Sequence, residues 1–253
     1  MPIRVTQPCP YVTQIVLDNP AKRNAMSRDD LAELARLWDR LDQDSGCRAI
    51  VLTGSGDKGF CAGADIGGDL SAAEETARIV NQALLKTRAF SRPIIAAING
   101  DCAGGGIELL LSTDIRIAAP HARFGLPEVK WSIYPFGGAT VKLVQQIGYV
   151  HAMDLLLTAR LVDAEFARSI ALINRVVPAD QVLDDAIATA RLIAGHSPVA
   201  VQAVRQQVSE GIAEYARSRE ASEQALGDRV RASPHFAEGV AAFREKRLPR
   251  YLD

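Results

Sequence analysis

Two glycine-rich stretches carry the groups best suited to chemistry. Phe60-Cys61-Ala62-Gly63-Ala64-Asp65-Ile66 is a loop with small residues at 62, 63 and 64, and Gly104-Gly105-Gly106-Ile107-Glu108 reads as the opening of a helix. Small residues let a ligand approach backbone N–H groups closely. The first N–H groups of a helix have no partner inside it and carry partial positive charge. One donor from each stretch would hold a single developing oxyanion, as acyl and thioester chemistry requires. The alternative is that the glycines only serve tight turns.

Two glutamates stand out by their surroundings. Glu108 is flanked by Ile107, Leu109, Leu110 and Leu111, which leaves little polar face for a solvated side chain. Against that, a carboxylate in the first turn of a helix is favoured by the helix dipole alone. Glu128 lies in Phe124-Gly125-Leu126-Pro127-Glu128-Val129, with Trp131, Ile133 and Tyr134 close behind. Its alternative is a solvated loop charge.

Other chemistries find less support. Gly54-Ser55-Gly56-Asp57-Lys58-Gly59 satisfies G-x-G-x-x-G after an apolar run. A nicotinamide-binding turn must then open a helix, and Gly63, Gly67 and Gly68 fall where that helix would be. Each glycine costs about 1 kcal/mol in a helix interior. Cys9, Cys47, Cys61 and Cys102 form no C-x-x-C pair, and His121, His151, His196 and His235 form no H-E-x-x-H, so no metal site is expected. Free thiols of this kind suit a reducing compartment.

The chain has 253 residues, 48% hydrophobic and 23% charged, with 29 basic and 30 acidic residues and a net charge of −1. This is globular composition, long enough to bury a large core. A near-neutral chain gives no electrostatic case for nucleic-acid binding. Neither a signal peptide nor a membrane span is indicated. A cytoplasmic protein that binds no nucleic acid and no membrane is expected.

The elements that must position these residues alternate. Val12 to Asp18 reads as a strand, ended by Asn19-Pro20. Ser27 to Asp30 reads as a capping box opening an amphipathic helix over about 28–44, with Trp38 in the core. Strands follow at 48–53, 93–98 and 114–118, with a helix over about 71–90 and a short helix from Gly104 to Gly106. Alternation of this kind is α/β. Beyond about 139 the pattern is mostly helical, and beyond Ala179 only helical. A core over 1–195 and a helical region over 196–253 are expected.

Three blocks in order give the chain a resemblance to the crotonase (enoyl-CoA hydratase/isomerase) family. Phe60-Cys61-Ala62-Gly63-Ala64-Asp65-Ile66 resembles F-x-A-G-A-D-[IL], Gly100 to Glu108 resembles G-x-x-x-G-G-G-x-E, and Phe124-Gly125-Leu126-Pro127-Glu128 resembles F-G-x-P-E. Asn19-Pro20 with Asn24-Ala25, and Phe243 with Glu245-Lys246-Arg247, extend the likeness over nearly the whole chain. The resemblance implies a spiral of β-β-α units and C-terminal helices that form trimers, often paired into hexamers. It implies an oxyanion hole from the N–H groups of Ala64 and Gly105, beside Gly104, and catalytic roles for Glu108 and Glu128. Ala62, Asp65 and Ile66 would lie along the adenine-contacting loop. Lys22 or Arg23, and Lys246 or Arg247 of a neighbouring subunit, would meet the phosphates of coenzyme A. Coenzyme A would enter as part of the substrate, with no separate cofactor and no metal.

The implied activity is hydration of a 2-enoyl-CoA, with enoyl-CoA isomerisation or acyl-CoA binding without turnover as alternatives. One departure concerns Tyr134-Pro135-Phe136-Gly137, where typical hydratases carry glycine directly after the proline. A phenyl ring at 136 either narrows the acyl pocket or packs elsewhere.

Overall fold

The computed structural model describes residues 3–63 and 74–251. A hairpin opens the chain, β1 (Ile3–Cys9) against β2 (Val12–Leu17), and α1 (Arg28–Gln43) follows. Three β-β-α turns come next. They are β3 (Ala49–Gly54), β4 (Gly59–Cys61) and α2 (Glu74–Ala83); β5 (Ile94–Ile98), β6 (Asp101–Ala103) and α3 (Gly105–Leu110); and β7 (Ile115–Ala118), β8 (Arg123–Gly125) and α4 (Ala139–Ile147). The remainder is α5 (Tyr149–Thr158), β9 (Val162–Asp163), α6 (Ala164–Ser169), β10 (Arg175–Val176), α7 (Val182–Ala194), α8 (Pro198–Arg231) and α9 (Pro234–Arg244).

In each turn the first strand joins one sheet and the second joins another. The larger sheet has the order β1-β2-β3-β5-β7-β10, and the smaller β4-β6-β8-β9. Apart from the antiparallel pairs β1–β2 and β8–β9, neighbouring strands are parallel. Asparagine side chains fasten the crossing between sheets. Asn99 Oδ1 accepts from Gly54 N–H at 3.1 Å and its Nδ2 donates to Gly56 O at 2.7 Å. The buried Asn24 donates to Ser55 O at 3.0 Å and Gly59 O at 2.7 Å.

Both faces of the larger sheet are covered, as its near-continuous apolar strands require. Ile50, Leu52, Ile94, Ala96 and Ile98 face the main core, with Leu34, Trp38 and Phe60. Ala49, Val51, Ile95, Ala97 and Ile117 face α7, which answers with Val182, Ala186, Ala190 and Ala194. The small side chains of α7 bring its backbone close to the sheet. Ser27 and Asp30 form the expected capping box on α1. Trp38 is fully buried, edge-on to Phe90 at 5.5 Å.

One expectation needs correction. The helix placed at about 71–90 ends at Ala83. The carbonyls that would continue it are taken by side chains. Ala83 O accepts from Trp38 Nε1 at 2.8 Å, Leu84 O from Ser112 Oγ, and Leu85 O from Lys142 Nζ at 2.6 Å. Leu85 turns left-handed, with φ of 46°. The smaller sheet and β1 escape the sequence pattern altogether. The smaller sheet's strands, of two or three residues, are too short to display a period, while the seven-residue β1 is an edge strand exposed along most of its length.

The C-terminal helices back the second half of the spiral. Pro198 and Pro234 sit in the first turns of α8 and α9, where a proline costs no internal hydrogen bond. Arg205 of α8 pairs with Asp114 at 2.7 Å. Among the described residues no helix is long and apolar enough to cross a membrane.

Candidate active site

α3 begins at the end of β6, and its N-cap Gly104 has φ of 56° and ψ of −128°. A side chain at 104 would also meet Glu128 Oε1, 3.1 Å from the ideal Cβ position. Close by, a Cβ on Gly63 would lie 2.7 Å from Gly105 N. The 60–63 loop therefore ends against the opening turn of α3, whose first N–H groups have no acceptor within the helix. The loop is pinned by Ala62 N–H to Arg23 O at 3.0 Å and by Met26 N–H to Gly63 O at 2.8 Å. Ala64, Asp65 and Ile66 lie outside the described residues.

Glu108 sits one turn into α3 and is buried. Its Oε1 accepts from Ala139 N–H at 3.1 Å, and Gly137 N–H also acts on the carboxylate. Burial outweighs these donors and the nearby Lys86, pushing its pKa up to about 7. Glu128 opens a 3₁₀ turn, Glu128–Trp131, directly after β8. Its Oε2 is shut off from solvent and finds no hydrogen-bond partner among the described residues. Burial first, then the charge of Glu108, pushes its pKa up to about 8. Two desolvated carboxyls that repel one another cannot both ionise readily. Near neutrality one is charged and the other protonated, which supplies a base and an acid side by side.

A buried carboxyl that takes up a proton on folding stabilises the protein only while the proton stays on. Stability falls as pH rises from the unfolded value near 4.5, through about 7 for Glu108 and about 8 for Glu128. Glu128→Gln removes one buried charge, on the order of a few kcal/mol. We expect a Tm several degrees above wild type at pH 8.5, with the gain vanishing towards pH 4.5. Thermal melts at the two pH values check this; an equal gain at both would show that the carboxyl is not desolvated.

The remaining candidates are scattered. Arg23 is exposed, left-handed at φ of 51°, and pairs with Asp101 at 3.4 Å. It lines an open cleft with Lys58, His121 and Arg123. Lys22 ends the short helix before it. Lys246 lies exposed beyond α9, while Arg247 is held by Glu238 at 2.6 Å. Phe136 turns its ring towards α8. A Cβ on Gly227 would overlap it, Arg231 lies over it at 5.3 Å, and Tyr134 meets its edge at 5.4 Å.

Sequence reasoning missed the residues behind the two glutamates. Lys86 and Glu223 form a buried pair at 2.9 Å beside Glu108. α9 packs on the turn that carries Glu128: Trp131 meets Phe243 at 5.3 Å, and Tyr251 donates to Lys130 O at 2.8 Å. A lysine and a glutamate 137 positions apart give no local signal. The apolar context of Lys86, after Leu84 and Leu85, is the one hint available.

β-β-α turns spread over two sheets, with paired carboxyls at the N-terminus of the second turn's helix, define a crotonase fold. A family description for enoyl-CoA hydratase/isomerase matches residues 10–253. Enoyl-CoA hydratase EchA19 of Mycobacterium tuberculosis is 39% identical over 94% of this chain and 91% of its own length. Mevalonyl-coenzyme A hydratase of Aspergillus fumigatus is 38% identical over 98% and 93%. The crystal structure of carnitinyl-CoA hydratase from Mycobacterium avium superposes with a TM-score of 0.89 at 32% identity, covering 98% of this chain and 97% of that one. The chain belongs to the enoyl-CoA hydratase/isomerase family.

Proposed function

We propose that the protein is an enoyl-CoA hydratase that adds water across the 2,3 double bond of an enoyl-CoA thioester. The observation that carries this is the meeting of Glu108 and Glu128, both desolvated, at the opening of α3. Glu108 takes a proton from water as its oxygen attacks C3, and Glu128 delivers a proton to C2. The N–H groups of Gly105 and Ala64 hold the thioester oxygen while it carries the enolate charge, and the dipole of α3 adds to them. Coenzyme A comes with the substrate, and no further cofactor takes part. The cations Lys22, Arg23 and Lys246 meet its phosphates, the last from a neighbouring subunit of a trimer or hexamer in the cytoplasm.

Crotonyl-CoA tests the reading. Loss of the conjugated-thioester absorbance on mixing is expected. Saturable binding without turnover would instead make the protein an acyl-CoA binder, and movement of the double bond without water uptake an isomerase. A panel of acyl-CoA esters in the same assay sets the chain length. NADH binding is not expected, because Gly54 to Gly59 leads into β4, a strand, where a dinucleotide turn opens a helix.

A further inference from the structure

We propose that Lys86 and Glu223 are positioning residues for Glu108: their buried ion pair clamps the Phe136–Gly137 peptide, whose other side holds the Glu108 carboxyl. Lys86 follows α2, in the turn that ends it, and is 3% exposed. Its Nζ donates to Phe136 O at 2.9 Å and meets Glu223 Oε2 at 2.9 Å. The N–H of that same peptide, on Gly137, acts on Glu108. The peptide is thus held at its carbonyl by a cation, while the Glu108 carboxyl lies against Gly137 on its other side.

Glu223 completes the arrangement from α8. Its Oε1 accepts from Thr140 Oγ1 at 2.5 Å, and Thr140 in turn accepts from Tyr134 OH at 3.3 Å. Thr140 follows Ala139, the second amide on Glu108. Residues 134–140 are therefore held from outside at two points by the pair, Phe136 O by Lys86 and Thr140 by Glu223, and braced within by Tyr134 on Thr140. Fastening a loop this firmly matters because a shift of about 1 Å in a reacting group costs on the order of a hundredfold in rate. A buried ion pair seldom adds much stability, so its value here lies in geometry.

The inference deepens the hydratase reading and rests on it. The charged and titratable groups around Glu108 are Lys86 beyond α2, Glu128 beyond β8, Tyr134 and Lys142 around the start of α4, and Glu223 on α8. Only the Lys86–Glu223 pair is altered in the test. Crotonyl-CoA hydration is followed against pH for wild type, Lys86→Met, Lys86→Arg and the double variant Lys86→Gln/Glu223→Gln, with a thermal melt of each.

Lys86→Met is expected to lower kcat at least about tenfold, with KM changed less than about threefold. The acid limb of its pH profile moves to higher pH, because a cation no longer favours ionised Glu108. Lys86→Arg restores the limb. The double variant leaves no unpaired buried charge, so it folds, yet keeps the low kcat; its limb stays raised, though less than in Lys86→Met, because the lost Glu223 charge had opposed that of Lys86. Wild-type kcat and limb in the double variant would overturn the proposal, as would a loss confined to Tm or KM. If the wild type hydrates no enoyl-CoA, the hydratase reading alone falls. Infrared titration of the Glu108 carboxyl, identified by its loss in Glu108→Gln, then decides. A midpoint raised in Lys86→Met sustains the clamp, and an unchanged midpoint overturns it.

Discussion

Glu108→Gln and Glu128→Gln each turn over crotonyl-CoA at least about a hundredfold more slowly than wild type, in the range set by loss of a general acid or base. Glutamine keeps the size of the side chain, and at 108 its carbonyl still accepts from Ala139 N–H, now at 3.1 Å in the parent. What it cannot do is exchange a proton. The loss should therefore fall on kcat, with KM little changed. The parent's kcat/KM should peak near neutrality, where one of the coupled pair is ionised and the other protonated, and fall on both sides. Each single variant loses this bell shape. Near-wild-type rates in both would end the two-carboxylate scheme, whatever the binding data show.

Gly137→Ala, a change of one methyl group, is expected to cost roughly a hundredfold in turnover. An ideal Cβ at 137 lies 2.7 Å from the Glu108 carboxyl carbon and overlaps both its Oε2 and Leu84 Cδ1. Every neighbour is buried, so the carboxyl has to swing away from the Gly137 and Ala139 amides. Stability drops as well, as overpacked sites generally lose about 1–3 kcal/mol. Gly211→Ala is the control. It sits in α8 with open space around its Cβ position, so activity should stay unchanged while stability rises by up to about 1 kcal/mol. Full activity in Gly137→Ala would mean that Glu108 can reach its working position without those amides.

The C-terminal helices give these effects a common setting. α8 reaches Glu108 through Glu223, Lys86 and the 134–140 loop, while α9 packs on the turn carrying Glu128. Neither glutamate is held by the spiral alone. The notable position after Pro135 fits the same picture: Phe136 spends its ring on Gly227 of α8 and lends its carbonyl to Lys86.

What the sequence by itself determined is whatever short-range pattern encodes. The capping box on α1, the buried strands β2, β3, β5 and β7, the glycines at the opening of α3 and the odd placement of Glu108 among leucines all lie within a few residues of chain. Three ordered blocks were enough for the family. What only the tertiary structure decided depends on contacts between distant segments. The strands of the smaller sheet are two or three residues long and exist because neighbours pair with them. α2 stops at Ala83 because Trp38, Ser112 and Lys142 take the carbonyls at its end. The Lys86–Glu223 clamp and the packing of α9 on the turn that carries Glu128 both depend on helices about a hundred residues or more further along the chain. Burial and pairing are properties of the packed whole, so no window of sequence could display them.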